Sequence, residues 1–410
     1  MTRILLIHQA FISPSEAGGT RHYELAQHLI RQEHEFTIVA SNLGYLTGQC
    51  VVEGKGLVKE QIIDNVRVLR AYAYPSLHKS FVWRTISFLS FMLTSVWAAL
   101  RAGPVDLVIG TSPPIFQAVS AWLVALLRRR PFLLEVRDLW PEFAIGMGVL
   151  RNSVLISLSR WLERFLYARA THIVVNSPAY REYLLEKAIP GEKITLIPNG
   201  VDVTAFSPGA DGQEVRQQFN LDGKFVVIYA GALGMANDIG TILSAADALR
   251  DNRDIHFLLV GDGKERANLE TRARELQLSN VTFAGSHPKA SIPDFLAASD
   301  VCVATLQDIP MFRTTYPNKV FDYMAAGRPT ILAIDGVIRE VVEAAGGGIF
   351  VPPGNPSALA GAIRKLSADR ECAQTMGHAA RRYVVEHFDR RQQAEAFAEL
   401  VRRLVDREKA

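Results

Sequence analysis

Short apolar strands alternate with helical stripes along this chain, and the alternation runs twice. Arg3–His8 reads as a strand, followed by a helix over Thr20–Gln32 and a strand over Glu35–Ala40. Strands follow at Asp106–Gly110, Phe132–Val136 and Thr171–Asn176, then a helix from Ser177 to Lys187 and a strand over Ile194–Ile197. Ser177 suits an N-cap and Pro178 a first helical position. The alternation Val66-Arg67-Val68-Leu69-Arg70 suggests a small strand insertion. A Pro/Gly-rich join follows at Phe206–Gly212, and the pattern restarts. Phe225–Ala230, His256–Gly261, Val281–Ala284, Val301–Ala304 and Thr330–Ala333 read as strands, with helices over Asp238–Asp251 and Arg266–Leu276. Such alternation predicts parallel sheets with crossover helices. A single core stops growing near ~250–300 residues, so 410 residues predict two α/β domains, over 1–206 and 207–388. Residues 389–410 carry a helical stripe of Phe397, Leu400, Val401, Leu404 and Val405. That terminal helix is expected to cross back to the first half.

Composition narrows the class. An apolar fraction of 49% excludes a disordered chain, and a formal charge of +3 from 45 basic and 42 acidic residues gives no reason to expect nucleic acid. Cys50, Cys302 and Cys372 are odd in number and far apart. They form neither a disulfide framework nor a zinc motif, which fits a reducing compartment. The first apolar run is too short for a signal peptide. Thr85–Leu100 contains no charge, and Ile115–Leu127 ends in Arg128-Arg129-Arg130. The first would span roughly 24 Å as a helix, short of the ~30 Å of a hydrocarbon core. These are helices buried on a sheet, or helices that also offer a face to a lipid surface, with arginines at the phosphates.

Open parallel sheets bind ligands beyond the carboxyl ends of their strands, so motifs at those ends carry the functional reading. Gly18-Gly19 opens a helix without forming a dinucleotide fingerprint. Glu135-Val136-Arg137-Asp138-Leu139-Trp140-Pro141-Glu142 places four charges beside a strand end. Asp138 or Glu142 suits a base or an acceptor-orienting group, and Arg137 a phosphate; a pair that only braces the loop is the alternative. Ile197-Pro198-Asn199-Gly200 is a tight turn. The turn from Gly231 through Leu233 and Gly234 suits a diphosphate on backbone amides but lacks any Lys or Arg. Val260-Gly261-Asp262-Gly263-Lys264 is a further junction, where Lys264 offers a positive charge. The most informative segment runs from Arg313 through Thr314, Thr315, Tyr316, Pro317, Asn318 and Lys319 to Asp322. A helix starting near Asn318, with Lys319 in its first turn, makes an anion site. Asp322 one turn on suits a ribose diol. No Asp-x-Asp occurs, so no local carboxylate pair for a metal–diphosphate is visible, and no metal cofactor is expected.

These segments resemble glycosyltransferase family 4, retaining GT-B enzymes that use nucleotide-sugar donors, and the likeness runs over nearly the whole chain. Glu135–Glu142 together with Tyr316–Lys319 and Tyr323–Gly327 is similar to WbuB-type bacterial enzymes of surface-polysaccharide assembly, often with aminosugar donors. The resemblance implies two Rossmann-like domains facing across a cleft, the first for acceptor, the second for donor. The family's Glu-x7-Glu motif falls on Thr314 and Asp322, so the first acid is missing and the second retained. Lys319 replaces the family's basic residues after the Gly231 strand, with Lys264 and Arg137 as weaker candidates. Ser286 and His287 match the place where the family's backbone meets the base.

Taken together, donor contacts are expected at Gly231, Leu233, Gly234, Gly261, Lys264, Ser286, His287, Thr314, Thr315, Tyr316, Pro317, Asn318, Lys319 and Asp322. Catalytic roles fall to Asp138, Arg137, Lys319 and Glu142, and Gly18, Gly19 and Asn199 belong to an acceptor or diphosphate loop. The expected reaction moves a sugar, an N-acetylated aminosugar for example, from a UDP-linked donor to a polyprenyl-diphosphate-linked saccharide. The expected location is the cytoplasmic face of the inner membrane, touched through residues 81–130. The alternative is a GT-B nucleotide-sugar epimerase acting without an acceptor. A two-lobed solute-binding protein and a nicotinamide oxidoreductase are disfavoured by the absent export signal and fingerprint.

Overall fold

In the computed structural model the two runs of alternation become two separate parallel sheets. The structure describes every residue except 14, 15, 17, 45–47, 53–55, 76–80, 207–209 and 410, and only the backbone of 81, 82, 408 and 409. Ala17 of the glycine loop and the centre of the expected join thus lie outside the described residues.

The first unit comprises Met1–Ser13, Thr20–Pro198 and Arg391–Ala410. Its elements are β1 (Arg3–Ile7), α1 (Arg21–Arg31), β2 (Glu35–Ser41), β3 (Val58–Ile63), β4 (Val66–Ala71), α2 (Phe81–Leu100), β5 (Leu107–Ser112), α3 (Ile115–Arg128), β6 (Phe132–Val136), α4 (Glu142–Gly146), α5 (Ser153–Arg169), β7 (His172–Val175), α6 (Pro178–Glu186) and β8 (Ile194–Leu196). The strand order is β3-β4-β2-β1-β5-β6-β7-β8. All pairings are parallel except β3 with β4. The expected insertion is therefore a hairpin whose second strand joins the main sheet beside β2. The order reverses between β1 and β5, which makes that gap the switch point where ligands enter such sheets. Ser177 stands before α6 and Pro178 opens it, although Ser177 supplies no side-chain cap bond.

The second unit comprises Pro14–Gly19 and Asn199–Arg390. It contains α7 (Gln213–Gln218), β9 (Phe225–Ala230), α8 (Ile239–Asp247), β10 (Ile255–Val260), α9 (Arg266–Glu275), β11 (Val281–Gly285), α10 (Ile292–Ala297), β12 (Val301–Thr305), α11 (Asn318–Ala325), β13 (Thr330–Ala333), α12 (Val337–Ala344), β14 (Gly348–Phe350), α13 (Pro356–Ala368) and α14 (Arg370–His387). The order β11-β10-β9-β12-β13-β14 is parallel throughout, with its switch point between β9 and β12. Asn199–Phe206 thus goes with the second unit, ahead of the Pro/Gly-rich segment.

The last helix, α15 (Arg390–Lys409), contributes Phe397, Leu400, Val401, Leu404 and Val405 to a core shared with β1, β2 and α1 of the first unit. The stripe in the sequence is thus the buried face of this helix. On α1 the buried positions are Arg21, His22, Leu25, Ala26 and Leu29, one helical face on which two polar residues take core positions. Among the described residues no helix is long and apolar enough to cross a membrane.

Candidate functional site

The second unit holds a cation without an anion. Lys319 sits in the first turn of α11, and its Nζ donates to Tyr229 Oη and to Asn237 Oδ1, each at 2.7 Å. The same nitrogen lies 4.4 Å from the centre of the Tyr229 ring. All these partners are neutral, and among the described residues no carboxylate makes an ion pair with Lys319. Burial pushes its ammonium down to about 7. Asn237 is held in turn, since its carbonyl accepts from Thr305 Oγ1 at 2.5 Å across the switch point. The start of α11 has no side-chain cap, and Asn318 Oδ1 is buried without a partner. A helix N-terminus with uncapped amides and an unbalanced ammonium is an electrostatic seat for an anion.

The glycine turns around it work through backbone approach. Gly261 has φ +141°, and a Cβ there would stand 1.9 Å from Gly231 O. Only glycine allows that contact. The Gly231 amide donates to Val260 O and the Leu233 amide to Asp262 O, each at 2.9 Å. Those two amides are therefore spent inside the protein, which leaves charge neutralisation to Lys319 and the helix start. A Cβ on Gly231 would approach Lys319 Nζ to 3.2 Å, so the glycine keeps room for the amine.

Asp322 is buried, and its Oδ2 accepts from Lys289 Nζ at 2.5 Å. Thr314 Oγ1 donates to Met311 O at 2.6 Å and Thr315 Oγ1 to Phe312 O at 2.9 Å. Asn199 Nδ2 donates to the carbonyl of Tyr316 at 3.0 Å, so Asn199 fixes the approach to Pro317 and α11. Gly19 lies close to Asn318, with 3.4 Å between its would-be Cβ and Asn318 Nδ2, and Gly18 precedes it at φ +138°. His287 Nε2 pairs with Ala284 O at 3.1 Å after β11, next to an exposed Ser286. Lys264 is exposed. Gly234 begins the turn that ends in Asn237.

The first unit carries a different cluster at the ends of β1, β5 and β6. Glu135 is buried and accepts from Arg21 Nε at 2.9 Å and His22 Nε2 at 2.5 Å. Burial alone would raise its carboxyl, but His22 and Arg21 outweigh it and hold Glu135 well below the usual range. The remaining Arg21 nitrogens donate to Pro198 O and Ile197 O at 3.0 Å. This cluster fixes the start of α1 and the end of the Ile197–Pro198 segment. Arg137 follows β6 with a different partner, as its Nη1 lies 3.3 Å from His8 Nε2. Asp138 is pushed up to about 6 by burial, against the nearby Arg137 charge and a hydrogen bond from Tyr180. Glu142 is engaged by Arg160 at 2.8 and 3.0 Å, so it is Glu142 that braces the loop. Among the described residues no group of three His, Cys, Asp or Glu side chains is placed to hold a metal ion.

Sequence reasoning passed over His8, Arg21, His22 and Lys289, and gave no role to Glu135, Tyr229 or Asn237. The signal for Arg21 and His22 was available. They fall on the same helical face as Leu25 and Leu29, where charge is costly unless paired.

A model described as a glycosyl transferase 4-like domain matches residues 17–200, and one described as glycosyl transferases group 1 matches residues 211–383. The chain is 24% identical over 373 residues to the putative colanic acid biosynthesis glycosyl transferase WcaI of Escherichia coli, covering 88% of this chain and 91% of that one. It is 27% identical to the probable glycosyltransferase WbjE of Pseudomonas aeruginosa, over 77% and 79% of the two chains. Sucrose-phosphate synthase of Thermosynechococcus elongatus is similar in structure, with a TM-score of 0.78 at 22% identity over 98% and 99% of the two chains. HepE of Anabaena, solved with UDP and glucose, gives 0.74 at 19% identity over 98% and 99%. These structures share the GT-B fold of two Rossmann-like sheets. The two models divide the chain almost along its two units, and the chain is a glycosyltransferase built from a glycosyl transferase 4-like domain followed by a group 1 glycosyl transferase domain.

Proposed function

We propose that this glycosyltransferase is a retaining, metal-independent hexosyltransferase that takes a sugar from a UDP-linked donor and adds it to a lipid-linked saccharide in bacterial surface-polysaccharide assembly. Lys319 carries the reading. An ammonium with only neutral partners at an uncapped helix start is suited to the charge that grows on a diphosphate as the glycosidic bond breaks. No metal is needed in this scheme, because the lysine and the helix supply the positive charge. Asp322 would hold the ribose, exchanging its bond to Lys289 for the diol, and Thr314 and Thr315 would face the donor sugar. Asp138, ionised above about pH 6, would orient the acceptor hydroxyl, and the leaving phosphate would take its proton on the same face. A polysaccharide role is favoured by the likeness to WcaI, whose description names colanic acid biosynthesis.

A lipid-linked acceptor is supported by the outer face of α2. Trp83, Ile86, Leu89, Leu93, Trp97 and Leu100 are all exposed and follow one helical stripe. On α5, Val154, Leu155, Leu158 and Trp161 are exposed as well. Arg101 stacks over Trp97 at 4.2 Å, at the edge of the stripe. Arg128 is used otherwise, donating to the carbonyls of Ala99, Leu100 and Gly103 at the end of α2. The chain would rest on the cytoplasmic surface of the inner membrane through the apolar stripe, with Arg84 and Arg101 at the phosphates.

The decisive experiment is a thermal-shift screen of UDP-, GDP- and dTDP-sugars on the wild type and Lys319→Ala, followed by transfer assays. Stabilisation by a UDP-sugar that is lost in the variant is expected. Equal stabilisation of both proteins removes Lys319 from the site. Conversion of the donor without acceptor would favour epimerisation. Flotation with anionic vesicles tests the membrane face, where no binding at low salt would leave α2 a bare apolar helix.

A further inference from the structure

The gap between β1 and β5 is the switch point of the first sheet, and one hydrogen-bonded chain crosses it. His8 follows β1, Thr111 lies in β5, and His8 Nδ1 stands 3.0 Å from Thr111 Oγ1. On the other side of the imidazole, His8 Nε2 meets Arg137 Nη1 at 3.3 Å, just beyond β6. We propose that His8 is a positioning residue, which aims the Arg137 guanidinium at substrate oxygens during glycosyl transfer. The proposal rests on the reading of Arg137 as part of the transfer site.

The direction of each bond follows from the groups themselves. A guanidinium has no acceptor and does not lose its proton. His8 Nε2 must therefore accept, which puts the ring proton on Nδ1 and makes Nδ1 the donor to Thr111. Gln117 fixes the far end. Its Nε2 donates to Thr111 Oγ1 at 2.7 Å and to Pro113 O at 3.0 Å, while its Oε1 accepts from the Gln9 amide at 2.6 Å. Thr111 and Gln117 are both fully buried, and His8 is 4% exposed. Turning over the Thr111–Gln117 end of this chain would cost buried hydrogen bonds. The imidazole is also kept neutral. Burial, the His22 ring at a centroid distance of 4.3 Å, and the Arg137 charge all lower its pKa, against weaker pulls from Glu135 and a backbone hydrogen bond at Ala10.

A neutral partner differs from a carboxylate in its consequence. Arg21, nearby, has its charge cancelled by Glu135 and its other nitrogens committed to two carbonyls. Arg137 is held by a group that takes one hydrogen bond and no charge. Among the described residues it has no ion pair, and it is only partly buried. The arrangement orients a guanidinium whose nearby carboxylates, Glu135 and Asp138, act on it only through space, and leaves most of its five donors for an incoming oxygen.

Two substitutions separate the two ends of the ring. Gln at position 8 places an amide where Nε2 stood, and Asn places one where Nδ1 stood. His8→Gln is expected to keep kcat within about 3-fold, whereas His8→Asn loses roughly 10–100-fold in kcat with donor KM unchanged, as for other lost orienting partners. Arg137→Gln falls at least as far, and the double variant His8→Asn/Arg137→Gln falls no further than Arg137→Gln alone. Thermal melts of each variant run alongside, because a purely structural role lowers both melting temperatures and does not split the two kcat values. Wild-type activity in His8→Asn, equal losses in the Gln and Asn variants, or multiplying losses in the double variant would overturn the proposal. Full activity in Arg137→Gln would instead sink the reading of Arg137. Long-range 15N correlation spectra give an arm independent of turnover. They should show the His8 proton on Nδ1, and a proton on Nε2 would overturn the pairing whatever the activity.

Discussion

Two groups of charge lie at the carboxyl ends of the two sheets, and they are balanced in opposite ways. In the first unit Arg21 and His22 close on Glu135, and every polar group of this cluster has a partner of opposite charge or a carbonyl. In the second unit Lys319 has only a phenol, an amide oxygen and a ring face. The comparison teaches how to separate scaffold from site. A closed pair holds the backbone, whereas an unbalanced charge carries an uncompensated desolvation cost and marks a candidate site. Arg137 belongs with Lys319 by this criterion, although it stands near the closed cluster.

The contrast can be broken most forcefully from the closed side. Glu135→Ala leaves Arg21 and His22 without their acid and should cost about 3–5 kcal/mol in stability, read by denaturant unfolding. A small loss would mean that the cluster is not scaffold. From the open side, Lys319→Ala should lower kcat by roughly 10²–10³ with a natural donor and leave the fold intact, as circular dichroism and turnover would show together. A variant that unfolds instead would place Lys319 with the scaffold. Asp322→Ala should weaken binding of the nucleotide about 10-fold and leave inorganic diphosphate unaffected, in parallel calorimetric titrations. Asp138 predicts a gentler signature. Its carboxyl takes a proton as pH falls through about 6, so kcat/KM for the acceptor should drop about tenfold per pH unit below that value, and Asp138→Asn should lack this limb. A last signature is the pH dependence of thermal stability. Lys319 in the fold has its pKa pushed down to about 7, against ~10.4 in the unfolded chain. Between these values the unfolded chain binds the extra proton, so the lysine's contribution to stability rises with pH across that window. Lys319→Met should flatten the rise in melts taken from pH 7 to 10.

Much of the fold was legible because buried parallel strands are short, apolar and bounded by turns. Phe225–Ala230 and Thr330–Ala333 coincide with β9 and β13 to the residue. The β3–β4 hairpin was only half visible, because β3 is an edge strand with charged Lys59 and Glu60 on it. Lys319 stood out in the sequence through its place at a helix start. Its partners did not, since Tyr229 and Asn237 come from a strand and a turn some ninety and eighty positions earlier, and nothing local marks them. Spacing also made Gly231 and Leu233 look like amide donors. It is the register of β9 against β10 and its following turn that occupies those amides. The acids of the Glu135–Glu142 segment looked alike in sequence. Only tertiary partners separate Glu135 with Arg21, Glu142 with Arg160 and Asp138 with Tyr180.

The ties among Gly231, Leu233 and Gly261 bear on how this protein can diverge. An amide bonded to a carbonyl offers selection no side chain to exchange, and at Gly261 any replacement would collide with Gly231 O. Substitution is thereby left to side chains beyond this frozen saddle, such as Ser286, whose neighbour Gly285 accepts from the Gly261 amide. In the proposed reaction, a lineage built on this unit would keep its phosphate seat while the residues facing the sugar change.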